Sequence, residues 1–77
     1  MSRWIKSVAE MRPGELAVVS GFTDDLLSVK LMEMGCLPGT TVRFNFTAAF
    51  GDPICISVAG YELSLRVEEA STISILN

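Results

Sequence analysis

A chain of 77 residues that is 49% apolar and 19% charged makes one small domain. Such a domain hides only about 60% of its surface on folding, so any large apolar side chain left outside calls for an explanation. Its net charge of −3, with Arg3, Lys6, Arg12, Lys30, Arg43 and Arg66 scattered rather than gathered in a stripe, argues against nucleic acid as a partner. The lack of histidine removes the commonest general acid–base group and metal ligand together with the Ser–His and Cys–His nucleophiles, so no enzyme is expected.

The N-terminal stretch MSRWIKSVAEMRPGE has no hydrophobic run of signal-peptide length. No apolar stretch approaches the roughly 20 residues that cross a bilayer, so a cytoplasmic chain without membrane insertion is expected. Arg12-Pro13-Gly14-Glu15 reads as a type II turn, because Pro presets φ and Gly accepts a positive one. Leu16 to Ser20 follows as the first strand. Asp24 to Met34 contains good helix formers and no Gly or Pro. Thr23 or Asp24 caps its start, Asp24 and Asp25 suit the positive end of the helix dipole, and Gly35 ends it. Leu37-Pro38-Gly39-Thr40 is a second type II turn.

Four alternating strands complete the chain: Thr41 to Thr47, Ile54 to Val58, Tyr61 to Leu65, and a last one around Ile73 and Ile75. Gly51-Asp52-Pro53 marks the loop before the second of them, and Ala59-Gly60 a tight hairpin before the third. Val67 to Ser71 has room for one helical turn. Phe44, Phe46 and Tyr61 carry the inward phase and are expected in the core, whereas Phe50 lies in a loop and is expected outside. The whole reads as a mainly β fold, a small barrel of about five strands with one short helix inserted between the first and second, filling residues 1–77 as a single domain.

On the helix, Leu27, Leu31 and Met34 form the buried stripe. Leu26, Val29 and Met32 point the other way, beside Asp25, Ser28 and Glu33. Two readings of that second apolar set stay open: the N-terminal segment with Trp4 and Ile5 folds over it, or it is a docking surface for a partner. Cys36 and Cys55 read as buried thiols in a reducing compartment. Asp24 and Asp25 are neighbours on a helix and diverge by about 100°, so they make no catalytic or cation-binding pair. No Gly-rich phosphate loop is present.

The order of these pieces resembles the FeoA family of small SH3-like barrels that accompany the bacterial ferrous iron transporter FeoB. The resemblance runs from about Val8 to Leu76. It rests on the turn and first strand PGELAVVSGF, on the helix end and turn carried by Met34, Gly35, Leu37, Pro38 and Gly39, and on the loop Gly51, Asp52, Pro53. Cys36 stands where the family usually has an aliphatic residue. The motif residues are folding signals, and no catalytic, cofactor or metal residue follows from them.

The resemblance implies an accessory protein of ferrous iron uptake that binds and regulates FeoB on its soluble side, peripheral to the inner face of the membrane. Leu26, Val29, Met32 and Phe50 are the candidate contact residues, and self-association is left open. One alternative is a metal-responsive module like the C-terminal barrel of diphtheria-toxin-repressor-type regulators. The chain opens almost directly on the barrel and ends just after the last strand, so no DNA reader is expected. Another alternative is a weak transition-metal binder built on carboxylates and Cys. No cofactor is expected.

Overall fold

A computed structural model of the chain describes residues 6–76. Six strands form one antiparallel sheet: β1 (Lys6–Ser7), β2 (Leu16–Phe22), β3 (Thr41–Thr47), β4 (Ile54–Val58), β5 (Tyr61–Leu65) and β6 (Ile73–Leu76), in the order β1-β6-β2-β3-β4-β5. Helix α1 (Asp25–Glu33) joins β2 to β3, and the short α2 (Val67–Ala70) joins β5 to β6. The expected mainly β fold with one inserted helix is present, with one strand more. β1 is two residues long and carries no alternation, so it exists only as a partner of β6, through Lys6 opposite Ile75 and Ser7 opposite Ser74. The expected cover of Trp4 and Ile5 over the helix falls outside the described residues.

Both Pro-Gly turns form. Glu15 N–H donates to the Arg12 carbonyl at 3.0 Å and Thr40 N–H to the Leu37 carbonyl at 3.0 Å, with Gly14 and Gly39 at φ of 90° and 91°. The second turn is also stitched to β2: Gly39 N–H donates to the Val19 carbonyl at 2.8 Å, and Val19 N–H to the Thr40 carbonyl at 2.9 Å. This turn therefore carries the chain from the helix into register with the first long strand.

The core lies on the inner face of the sheet. Ala17 and Val19, Val42 and Phe44, Ile54, Ile56 and Val58, Leu65, and Ile73 and Ile75 are all buried there. Period-two alternation puts each of these sets on one face. Leu31 and Cys36 close the core from the helix side, and Val8 and Ala70 also belong to it.

Two expected core aromatics are outside. Phe46 is 56% exposed because β3 does not alternate to its end. Phe44 faces Ile56 but Phe46 faces Cys55, so Asn45 is an extra residue against β4. A bulge of this kind swings the following side chain onto the other face. Asn45 Nδ2 donates to Ser57 Oγ at 2.8 Å on that outer face. Tyr61 is 68% exposed for a different reason. It keeps the phase of Leu65 but begins the edge strand, so among the described residues it has a strand neighbour on the β4 side only, where Val58 opposite it is buried. A similar shift between Val19 and Gly21 lets β2 run on to Phe22, two residues past the expected end.

Candidate functional site

Helix α1 is held at both ends by its own sequence. Asp24 Oδ1 accepts the Leu27 N–H at 2.9 Å, satisfying one of the donors that a helix start leaves open. At the far end Cys36 N–H donates to the Leu31 carbonyl at 3.0 Å and Gly35 N–H to the Met32 carbonyl at 3.0 Å. That pair of bonds is the Schellman closure, and it needs a left-handed residue, here Gly35 at φ 107°. Cys36 sits where such a closure places an apolar side chain near the last turn. It is fully buried with Leu31, and burial pushes its thiol up from the usual range. It serves as a small core hydrophobe.

The rotation fixed by these caps decides what α1 shows to solvent. Leu31 is fully buried, with Leu27 and Met34 half-buried against the core. On the other side Leu26 is 87% and Val29 55% exposed, with Met32 half-buried at the margin. Asp25 and Glu33 are exposed nearby, and Leu37 adds apolar surface just beyond the helix. Three of the four predicted contact residues thus share one element, at the Thr41 end of β3.

The fourth, Phe50, is fully exposed at the turn between β3 and β4. Its φ of 69° and ψ of 9° are left-handed, an uncommon state for an aromatic residue and one that concentrates at functional positions. This turn lies at the Thr47 end of β3, so the four residues are not set on one helix face.

A residue set that sequence reasoning missed ties the two places to a common support. Asp52, two residues after Phe50, accepts the Val67 N–H of α2 through Oδ1 at 3.1 Å. Glu69 of the same turn accepts Lys30 Nζ of α1 through Oε2 at 2.8 Å and the Arg66 N–H through Oε1 at 2.9 Å. The Lys30 hydrogen bond, then the Arg66 N–H, hold the Glu69 carboxyl below the usual range. The reach of Glu69 back over three residues to the Arg66 N–H is the Glu half of a capping box, without the Ser or Thr at the cap that would mark it in the sequence. Its tie to Lys30, 39 residues away, had no local sign.

Among the described residues no three Cys, Asp or Glu side chains gather as a metal site would need. Cys36 and Cys55 are free and buried. No helix of the described residues is long and apolar enough to cross a membrane.

A family model described as the FeoA domain matches residues 6–76. Solved structures agree. A FeoA-like protein from Clostridium acetobutylicum is 31% identical, with a TM-score of 0.88 over 99% of this chain and 88% of that one. The FeoA of Stenotrophomonas maltophilia, solved with zinc, is 25% identical, with a TM-score of 0.80 over 91% of this chain and 88% of that one. It is described as a prokaryotic SH3 domain protein, for which a role as a ferrous iron transport activating factor has been put forward. A manganese-dependent transcriptional repressor shares the fold at 15% identity, with a TM-score of 0.86 over all of this chain and 38% of the repressor. No curated protein matches the chain.

Proposed function

Because the chain belongs to the FeoA family of ferrous iron transport, we propose that it is an accessory protein that docks on the soluble side of the transporter FeoB and regulates it from the cytoplasmic face. The observation that carries this reading is the outer side of α1. Leu26 at 87% and Val29 at 55% exposure are apolar surface in a domain with little to spare. Apolar side chains rimmed by charge, here Asp25 and Glu33, have the composition of an interface centre with its polar edge. Met32 at the margin and Phe50 on its turn extend the contact.

The test is Leu26→Glu with Val29→Glu. Neither side chain belongs to the core, so folding is retained while binding to detergent-solubilised FeoB falls at least about tenfold, the scale of losing a small contact centre. A folded variant that binds as well as the parent refutes the surface.

A carrier reading, in which the chain itself holds iron, lacks a donor set among the described residues. The repressor likeness supports the fold alone and assigns no DNA or metal response to this chain.

A further inference from the structure

The strand β5 is an edge: among the described residues it pairs with β4 and with no other strand. The connection is the two-residue turn Ala59-Gly60, with both residues at positive φ, 52° and 84°. A turn of this kind is closed by a hydrogen-bonded pair, here Val58 and Tyr61, and bonded and non-bonded pairs alternate from there. Tyr61, Leu63 and Leu65 therefore direct their backbone groups to β4. Glu62 and Ser64 direct theirs to the open side, and neither takes part in any other backbone hydrogen bond among the described residues. Both are exposed. The open edge is thus a short row of unpaired donors and acceptors, which is a template for a further strand.

We propose that this edge is a self-association surface on which β5 of a second copy pairs antiparallel, about a two-fold axis at Leu63. That register places Glu62 opposite Ser64 of the second copy and satisfies the free N–H and C=O of both residues on both strands. It also keeps the two Glu62 carboxylates apart. Sliding the pairing one way sets Glu62 opposite Glu62, and like charges directly opposed across strands are unfavourable. Sliding it the other way calls on the backbone of Arg66. That backbone is already engaged: its N–H donates to Glu69 Oε1 at 2.9 Å and its carbonyl accepts the Ala70 N–H at 2.9 Å. The Leu63 register alone joins free groups to free groups without a charge clash.

The shared strand has five residues, so the contact is smaller than the about 1,000 Å² of a stable interface and the dimer is reversible. This goes beyond docking on the transporter and stands independently of it.

The experiment is amide exchange and sedimentation on the intact chain across concentration. Between about 0.02 and 1 mM the Glu62 and Ser64 amides gain about tenfold protection as dimer accumulates, while Tyr61 and Leu63, already bonded to β4, stay constant. Ser64→Pro removes an edge donor without touching a bond to β4, and Ser64→Glu sets two carboxylates opposite each other. Each abolishes the concentration dependence. A monomer throughout, a dimer that survives both substitutions, or protection of Glu62 and Ser64 that does not vary with concentration each overturns the proposal.

Discussion

Two leucines five positions apart on α1 separate the core face from the proposed docking face, and truncating each to alanine measures the difference. Leu31 is fully buried in the cluster that holds Cys36 and Val42. Leu31→Ala loses the transfer of the side chain and leaves a cavity, together about 2–5 kcal/mol. At typical stability per residue a chain of this length holds about 4–12 kcal/mol in all, so much of the fold is at stake. At about 4–8 °C per kcal/mol the loss lowers Tm by about 8–40 °C. Leu26 is 87% exposed, leaving 13% of its surface covered. If full burial is worth about 1.5–3 kcal/mol, the covered part is worth at most about 0.4 kcal/mol, and the better helix propensity of Ala offsets some of that. Leu26→Ala therefore leaves stability unchanged within about 0.5 kcal/mol while it weakens transporter binding. Urea titration of both variants with FeoB pull-down on the same preparations is the assay. A Leu26→Ala loss above about 1.5 kcal/mol refutes the reasoning, because only a side chain covered by another part of the chain loses that much on truncation.

Gly35→Ala costs about 1–2 kcal/mol in urea, although the new Cβ meets nothing closer than Ala59 Cβ at 3.9 Å, because φ of 107° is hostile to L side chains; an unchanged midpoint refutes the Schellman assignment. The lowered Glu69 carboxyl contributes stability above the ordinary value of 4.5 that is lost as pH falls through the lower folded value, so Glu69→Gln is less stable at pH 7 and has a shallower acid limb. Denaturation midpoints from neutral to strongly acidic pH check this, and equal acid slopes for variant and parent count against it. Cys36, with its thiol raised by burial, reacts with a disulfide reagent at least about a hundredfold more slowly in the native protein than in urea; rapid native reaction at Cys36 argues against its burial.

The parts of the fold legible in the sequence are those where one residue type answers a local backbone demand. Gly14, Gly39 and Gly60 supply the positive φ of their turns, and Asp24 and Gly35 close the helix they flank. Each signal lies within a few residues of its effect. The bulge at Asn45 has no such signal. Whether one or two residues of β3 face one residue of β4 depends on a strand ten residues away, so the alternation of Val42 and Phe44 was extended to Phe46 when the phase had already flipped. Tyr61 differs for a related reason: its phase matches Leu65, but burial also depends on which strands flank it, and among the described residues β5 has a neighbour on one side only.

The candidate surface divides along the same line. Helical spacing is local, so the outward direction of Leu26 and Val29 was readable, and so was the exposure of Phe50 from its place before Gly51. The bracing of both places was not. Lys30 with Glu69 and Asp52 with the Val67 N–H join α1 and the Phe50 turn to α2 through contacts 39 and 15 residues apart in sequence. The physical consequence is that α1, whose rotation its own caps and Leu31 set, and the Phe50 turn each make one further hydrogen bond to the same four-residue helix, α2. The geometry of the surface therefore depends on side chains outside it.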